Sequence, residues 1–170
     1  IDAHQRPSFE QLADAAQRLL VKRGLTEEAI YCSAPSYLVA SLRLTLPFDN
    51  RKKIEAVLPF EVDDRLPIDI DDIIYDYLII DSAENSSQLL VSYVRKADLS
   101  QFLSALKEVD IDPKEINFGP LLLSHVTKDF DEQQGAQLVV DLGHHHTQVA
   151  LIVEDKVLQT RDIGLGMSLI

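Results

Sequence analysis

The chain has 170 residues, 46% of them hydrophobic, and its 28 acidic against 16 basic side chains give a formal net charge of −12. That composition builds a globular core rather than a disordered tail. It also excludes a nucleic-acid partner, whose phosphates need clustered Lys and Arg. The same shortage of cations disfavours contact with anionic lipid and suits a basic partner surface. One cysteine, Cys32, leaves no internal disulfide and fits a reducing compartment. With no secretory signal and no apolar run of membrane-spanning length, direct membrane insertion by this chain is not expected. A start at Ile1 without Met reads as a piece of a longer protein.

In chain order, Ser8 with Gln11 three residues on is a capping-box signature. It predicts a helix with Phe9, Leu12, Ala13, Ala16, Leu19 and Leu20 on one face, closed by Gly24. A buried strand is expected from Ala29 to Ser33, ended by Ala34-Pro35. Leu42, Leu44 and Leu46 alternate with Ser41, Arg43 and Thr45, the period of a half-buried strand, which Pro47 stops. Asp49 is placed to cap a helix carrying Ile54, Leu58 and Val62 on one side, and Pro59 predicts a kink or break within it.

After the acidic stretch Asp69 to Asp72, Ile73 to Ile80 reads as a strand, and Asn85-Ser86-Ser87 turns it back into Leu89 to Val94 as a hairpin. A helix from near Asp98 points Leu99, Phe102, Leu103 and Leu106 inward and is ended by Asp112-Pro113. Glu115 to Phe118 forms another short strand. The order from residue 39 to 118 is then β-α-β-β-α-β, the arrangement of a ferredoxin-like split βαβ unit. Gly119-Pro120 starts a short helix through Leu121, Leu122, Leu123 and Val126, and Thr127 to Gly135 connects it to a terminal sheet.

That terminal sheet holds the most informative pattern. Gln137 to Val140 is an apolar-rich strand that stops at Asp141, Gly143 follows two positions later, and Thr147 opens an alternating strand through Val149, Leu151 and Val153. A glycine lets backbone N–H groups approach an anion, and a carboxylate at a strand end can hold a metal-bound water beside it. A tight turn with no ligand is the alternative, since Gly and Asp also dominate ordinary turns.

Two blocks carry a family resemblance. Leu44-Thr45-Leu46-Pro47, the helix Ile54 to Asp64, Leu66-Pro67-Ile68 and Asp76-Tyr77 resemble the inserted subdomain of the pilus assembly protein PilM and of the cytoplasmic part of the type II secretion protein GspL. Asp141-Leu142-Gly143, Thr147 and Arg161-Asp162-Ile163-Gly164-Leu165-Gly166 resemble the second phosphate loop of actin-like ATPase folds, shared with the division protein FtsA. The resemblance implies an α+β or α/β, actin-like fold fragment containing the ferredoxin-like βαββαβ insertion. Residues 1–36 would belong to the first actin-like subdomain, 37–118 to the insertion, and 119–170 to the connection and start of the second domain.

By the same resemblance, Asp141 would sit beside a nucleotide-bound Mg²⁺, Gly143 would admit the phosphates and Thr147 would donate its hydroxyl to them. His144, His145 and His146 crowd that turn, compatible with the loss of nucleotide binding in GspL-like relatives. No cofactor is expected in these 170 residues, ATP and Mg²⁺ being left to a full-length protein. The implied function is a cytoplasmic scaffold at the inner membrane, linking a secretion or pilus motor ATPase to platform proteins, with any anchor supplied by partners or by segments outside the chain. An FtsA-like division protein and a sugar or acetate kinase of the same superfold are the alternatives.

Other constellations are weaker. Consecutive histidines point to different sides, so a solvated turn is expected rather than a metal site. Asp69, Asp71 and Asp72 lack the Gly and Glu of a calcium loop. They read as a solvated connector or as an acidic rim that steers a basic partner. No ordering of Ser, His, Asp or Cys suggests a catalytic site, so no enzyme is expected.

Overall fold

Helix α1 (Phe9–Arg23) begins where the sequence places it. The Ser8 hydroxyl accepts the Gln11 N–H, and the Gln11 side chain accepts the Ser8 N–H at 2.9 Å. Gly24, with φ of 68°, ends the helix in the left-handed conformation that glycine adopts without strain. The structure, a computed structural model, describes residues 6–25, 29–118 and 135–169. The helix expected from Gly119 through Val126 and the connection up to Gln134 lie outside these residues.

Strand β1 (Tyr31–Ala34) is followed by a 3₁₀ turn, Ser36–Leu38, and by β2 (Val39–Leu46). Helix α2 (Arg51–Asp63) is capped by Asn50 rather than Asp49. Asn50 immediately precedes the first helical residue, so its side chain reaches the Lys52 and Lys53 N–H groups. Of the kink or break expected at Pro59, the break does not occur, and the helix runs through it to Asp63. Proline forfeits one intrahelical bond, whereas Ile54, Leu58 and Val62, each 2% exposed or less, anchor both halves against the sheet. Each contributes about 1.5–3 kcal/mol of burial.

Strands β3 (Ile73–Ala83) and β4 (Ser86–Arg95) form the hairpin, turned at Glu84-Asn85 with Asn85 at a φ of 57°. Ser86 and Ser87, expected in the turn, start β4 instead, because Ser87 is buried and its hydroxyl donates to the Phe48 carbonyl at 2.7 Å. The antiparallel sheet runs β2-β4-β3. One face packs Leu44, Leu46, Leu89 and Val91 on α2; from the other, Ile80 and Leu90 face the terminal sheet.

Helix α3 (Lys96–Lys107) and strand β5 (Glu115–Phe118) complete the expected element order but not the expected sheet. β5 pairs in parallel with β1, so the β2-β4-β3 sheet has three strands and no fourth from β5. The reason lies in α3, whose Phe102, Ala105 and Leu106 pack with Ala13 of α1, Phe9 meeting Phe102 edge-on at 5.6 Å. The helix therefore carries the chain back to β1. Leu19 and Leu103, both expected inward, are 57% and 36% exposed, since each lies off the narrow stripe along which α1 and α3 meet.

The terminal sheet is an antiparallel meander of β6 (Ala136–Leu142), β7 (Thr147–Val153) and β8 (Lys156–Ile163). The β7–β8 turn, Glu154-Asp155, has positive φ at both residues, as a type I′ two-residue hairpin turn requires. Ala150, Ile152 and Val157 on its inner face close against Ile80 and Leu90.

Candidate functional site

The turn between β6 and β7 is Gly143-His144-His145-His146, closed by the Gly143 N–H donating to the His146 carbonyl at 3.0 Å. A Cβ on Gly143 would lie 2.7 Å from that carbonyl oxygen, so the turn demands glycine there. The segment after β8 folds over it. The N–H groups of Met167 and Ser168 donate to the carbonyls of Gly143 and His144 at 3.0 and 2.9 Å. Gly166 makes that approach possible, since a Cβ on it would fall 2.4 Å from the His144 oxygen. The Thr147 hydroxyl donates to the Leu165 carbonyl at 2.7 Å.

On its other side the turn is held to the 3₁₀ segment before β2. His146 Nδ1 lies 2.7 Å from one oxygen of Asp162, and the Ser36 hydroxyl donates to the other. The His146 ring stacks on Tyr37 at 5.1 Å between centroids, and the Arg6 guanidinium sits 3.9 Å from the Tyr37 ring centre. Burial pushes the Tyr37 phenol above its ordinary pKa, opposed by Arg6. Just below, the Ser41 and Thr160 hydroxyls share a 2.9 Å hydrogen bond.

Asp141, Gly143 and Thr147 thus share one hairpin, but the two side chains diverge. Thr147 pairs across the ladder with Leu142, which neighbours Asp141 in the strand, so Thr147 and Asp141 point to opposite faces. Asp141 is exposed and falls in the row of Gln148 and Asp162. The Thr147 hydroxyl, expected to donate to phosphate, is engaged by Leu165 after β8, and the N–H of Gly143, expected to admit the phosphates, is engaged within the turn. Among the described residues no group of His, Cys, Asp or Glu is arranged to hold a metal ion.

The acidic residues are placed differently. Asp69 caps a 3₁₀ turn, Ile70–Asp72, by accepting the Asp71 N–H at 2.8 Å, and Lys96 donates to the Asp71 carbonyl at 2.6 Å. All three aspartates are exposed. Cys32 lies half-buried in β1, and desolvation pushes its thiol up, away from nucleophilic duty. Sequence reasoning missed Ser36, Tyr37 and the role of Asp162. No local pattern announces them, because the network joins residues 126 positions apart.

No family model matches the sequence, and no curated protein matches it. Solved structures do. A PilM-PilN type IV pilus biogenesis complex aligns over 98% of this chain and 51% of its own, with a TM-score of 0.78 at 20% identity. The cytoplasmic domain of EpsL, an inner-membrane component of the type II secretion system of Vibrio cholerae, aligns over 94% of this chain and 58% of its own, with a TM-score of 0.64 at 14% identity. This chain spans about half the length of the structures it matches. It shares its mixed α/β fold with these PilM- and EpsL-containing structures. Among the described residues no helix is long and apolar enough to cross a membrane.

Proposed function

We propose that this chain is part of a cytoplasmic scaffold in the inner-membrane platform of a type IV pilus or type II secretion machine, where it links a motor ATPase to membrane components. The observation that carries this reading is the likeness of nearly the whole chain to a PilM-PilN pilus biogenesis complex. The EpsL likeness points to the same kind of machine. In this reading the protein works beside the inner membrane, attached through partners or through segments outside these residues.

The geometry of the turn supports a structural role. Asp141, Gly143 and Thr147 keep the order of a phosphate loop, yet its donors close on backbone carbonyls and His146 fills the space towards Tyr37. The turn acts as a vestigial phosphate loop that fastens the terminal sheet to the base of β2. On the insertion, Asp71 and Asp72 form an exposed acidic rim that steers a basic segment of a partner, and Asp69 holds the rim in shape.

Affinity capture tests the assignment. The full-length protein, tagged and cross-linked in its host before solubilisation, is expected to enrich pilus or secretion platform proteins and the motor ATPase. Enrichment of division proteins, or none of these, overturns it.

A further inference from the structure

Helix α2 packs its core side on the sheet and carries an ordered pattern on the other. Ile54, Leu58 and Val62 are buried, and Lys52, Lys53, Ala56, Phe60, Asp63 and Asp64 line the exposed ridge opposite them. Phe60, 75% exposed, is the most exposed large apolar side chain among the described residues. The ridge charges run against the helix. Its first turn holds no acid and its last turn no base, whereas the backbone dipole favours acids at the start and bases at the end. Neighbouring charges pair locally, Arg51 with Glu55 and Arg65 with Glu61. Lys52, Lys53, Asp63 and Asp64 form no ion pair with any described residue, although Asp63 accepts the Ile70 N–H at 3.3 Å. The order is self-complementary: Lys52 with Asp64, Lys53 with Asp63 and Ala56 with Phe60 are pairs each centred on residue 58.

We propose that this ridge is an isologous interface, in which α2 packs antiparallel on α2 of a second copy of the chain. Lys52 and Lys53 then meet Asp64 and Asp63 of the second copy at both ends, and Phe60 lies on its Ala56 in the middle. An antiparallel neighbour lays its acidic end along the basic start of α2, which gives each end the charge that its dipole favours. The chain has a net charge of −12, but the ridge itself is neutral, so the contact joins matched rather than like charges. A partner with a purely basic or purely acidic face would match only half of the ridge. One helix pair buries less than a standard interface, which makes this a weak contact that forms where copies are concentrated.

Cysteine cross-linking in the full-length protein tests the pairing. Its native cysteines are replaced, Cys32→Ala among them, and Ala56→Cys is added. In the pair, the two copies of this position lie about 6 Å apart along the axis and about 8–10 Å apart across it, within reach of a short bis-maleimide. Dimer is expected to form at least tenfold faster than from Gln101→Cys on the exposed side of α3. Adding Lys52→Asp with Lys53→Asp, or Asp63→Lys with Asp64→Lys, is expected to slow it at least tenfold. An equimolar mixture of the two charge-reversed proteins regains most of the rate, because each ridge then matches only the other. Both reversals follow the dipole, so neither is expected to weaken the helix. A rate equal to that of Gln101→Cys overturns the proposal. So does a rate that both reversals leave unchanged or that the mixture fails to restore. Cross-linking only to a different platform protein makes the ridge a dock for that protein and overturns the proposal too. Should a charge-reversed protein fail to fold by circular dichroism, Phe60→Ser decides, since this exposed side chain lies outside the core. It is expected to slow cross-linking at residue 56 at least tenfold, and an unchanged rate overturns the pairing. None of these outcomes depends on the scaffold reading.

Discussion

His146 is the residue on which the terminal hairpin turns. It meets Asp162 through Nδ1 and Tyr37 through its ring face, and its carbonyl closes the turn onto Gly143. Replacing it by Ala removes the side-chain contacts and keeps the backbone one. The expected loss is about 1–2 kcal/mol, the scale of a partly buried hydrogen bond to a charged group with an aromatic contact added. His146→Phe, which keeps the stack and loses the bond, is expected to fall between the wild type and Ala in urea unfolding. An unchanged midpoint for both variants would mean that the network bears no stability. From sequence this residue reads as one of three solvated histidines, because its partners are brought to it only when β8 and the segment after β1 come together.

Elements formed by local chemistry were legible, and those decided by partnership were not. The capping box of Ser8 and Gln11, the alternation of Leu42 to Leu46 and the stripe Ile54, Leu58, Val62 each imply their element from a few neighbouring residues. The pairing of β5 is different, since one order of helices and strands fits either a fourth strand beside β2 or a return to β1. What decides it is which helix α3 packs against, through Phe102 and Ala105. At the same scale stands the acidic rim. Substituting Asn for Asp69, Asp71 and Asp72 keeps the cap, because Asn also accepts the Asp71 N–H, while removing three charges. We expect association of the full-length variant with its platform partners to slow at low salt and to match the wild type at high salt. Stopped-flow or biosensor rates that are equal at both ionic strengths would reduce the rim to a solubilising connector.

At the scale of the molecule, the strand–turn–strand of residues 137–153 was legible in the sequence, whereas the closure of its turn was not. The donors that a phosphate loop would offer to an anion are taken by Leu165 and by the turn itself, contacts that depend on the chain folding back after β8. An ATP molecule would have to displace those bonds and the stacked His146. Titration calorimetry of this chain with Mg-ATP is therefore expected to show no binding at micromolar concentration, and a micromolar dissociation constant would mean that the turn opens readily.

The central claim concerns the machine in which the protein works, and a clean deletion of its gene tests it most directly. Cells lacking the full-length protein are expected to lose surface pili or type II secreted proteins and to recover them with a plasmid copy, while dividing normally. Cells that keep both piliation and secretion, or that stop dividing instead, would contradict the assignment.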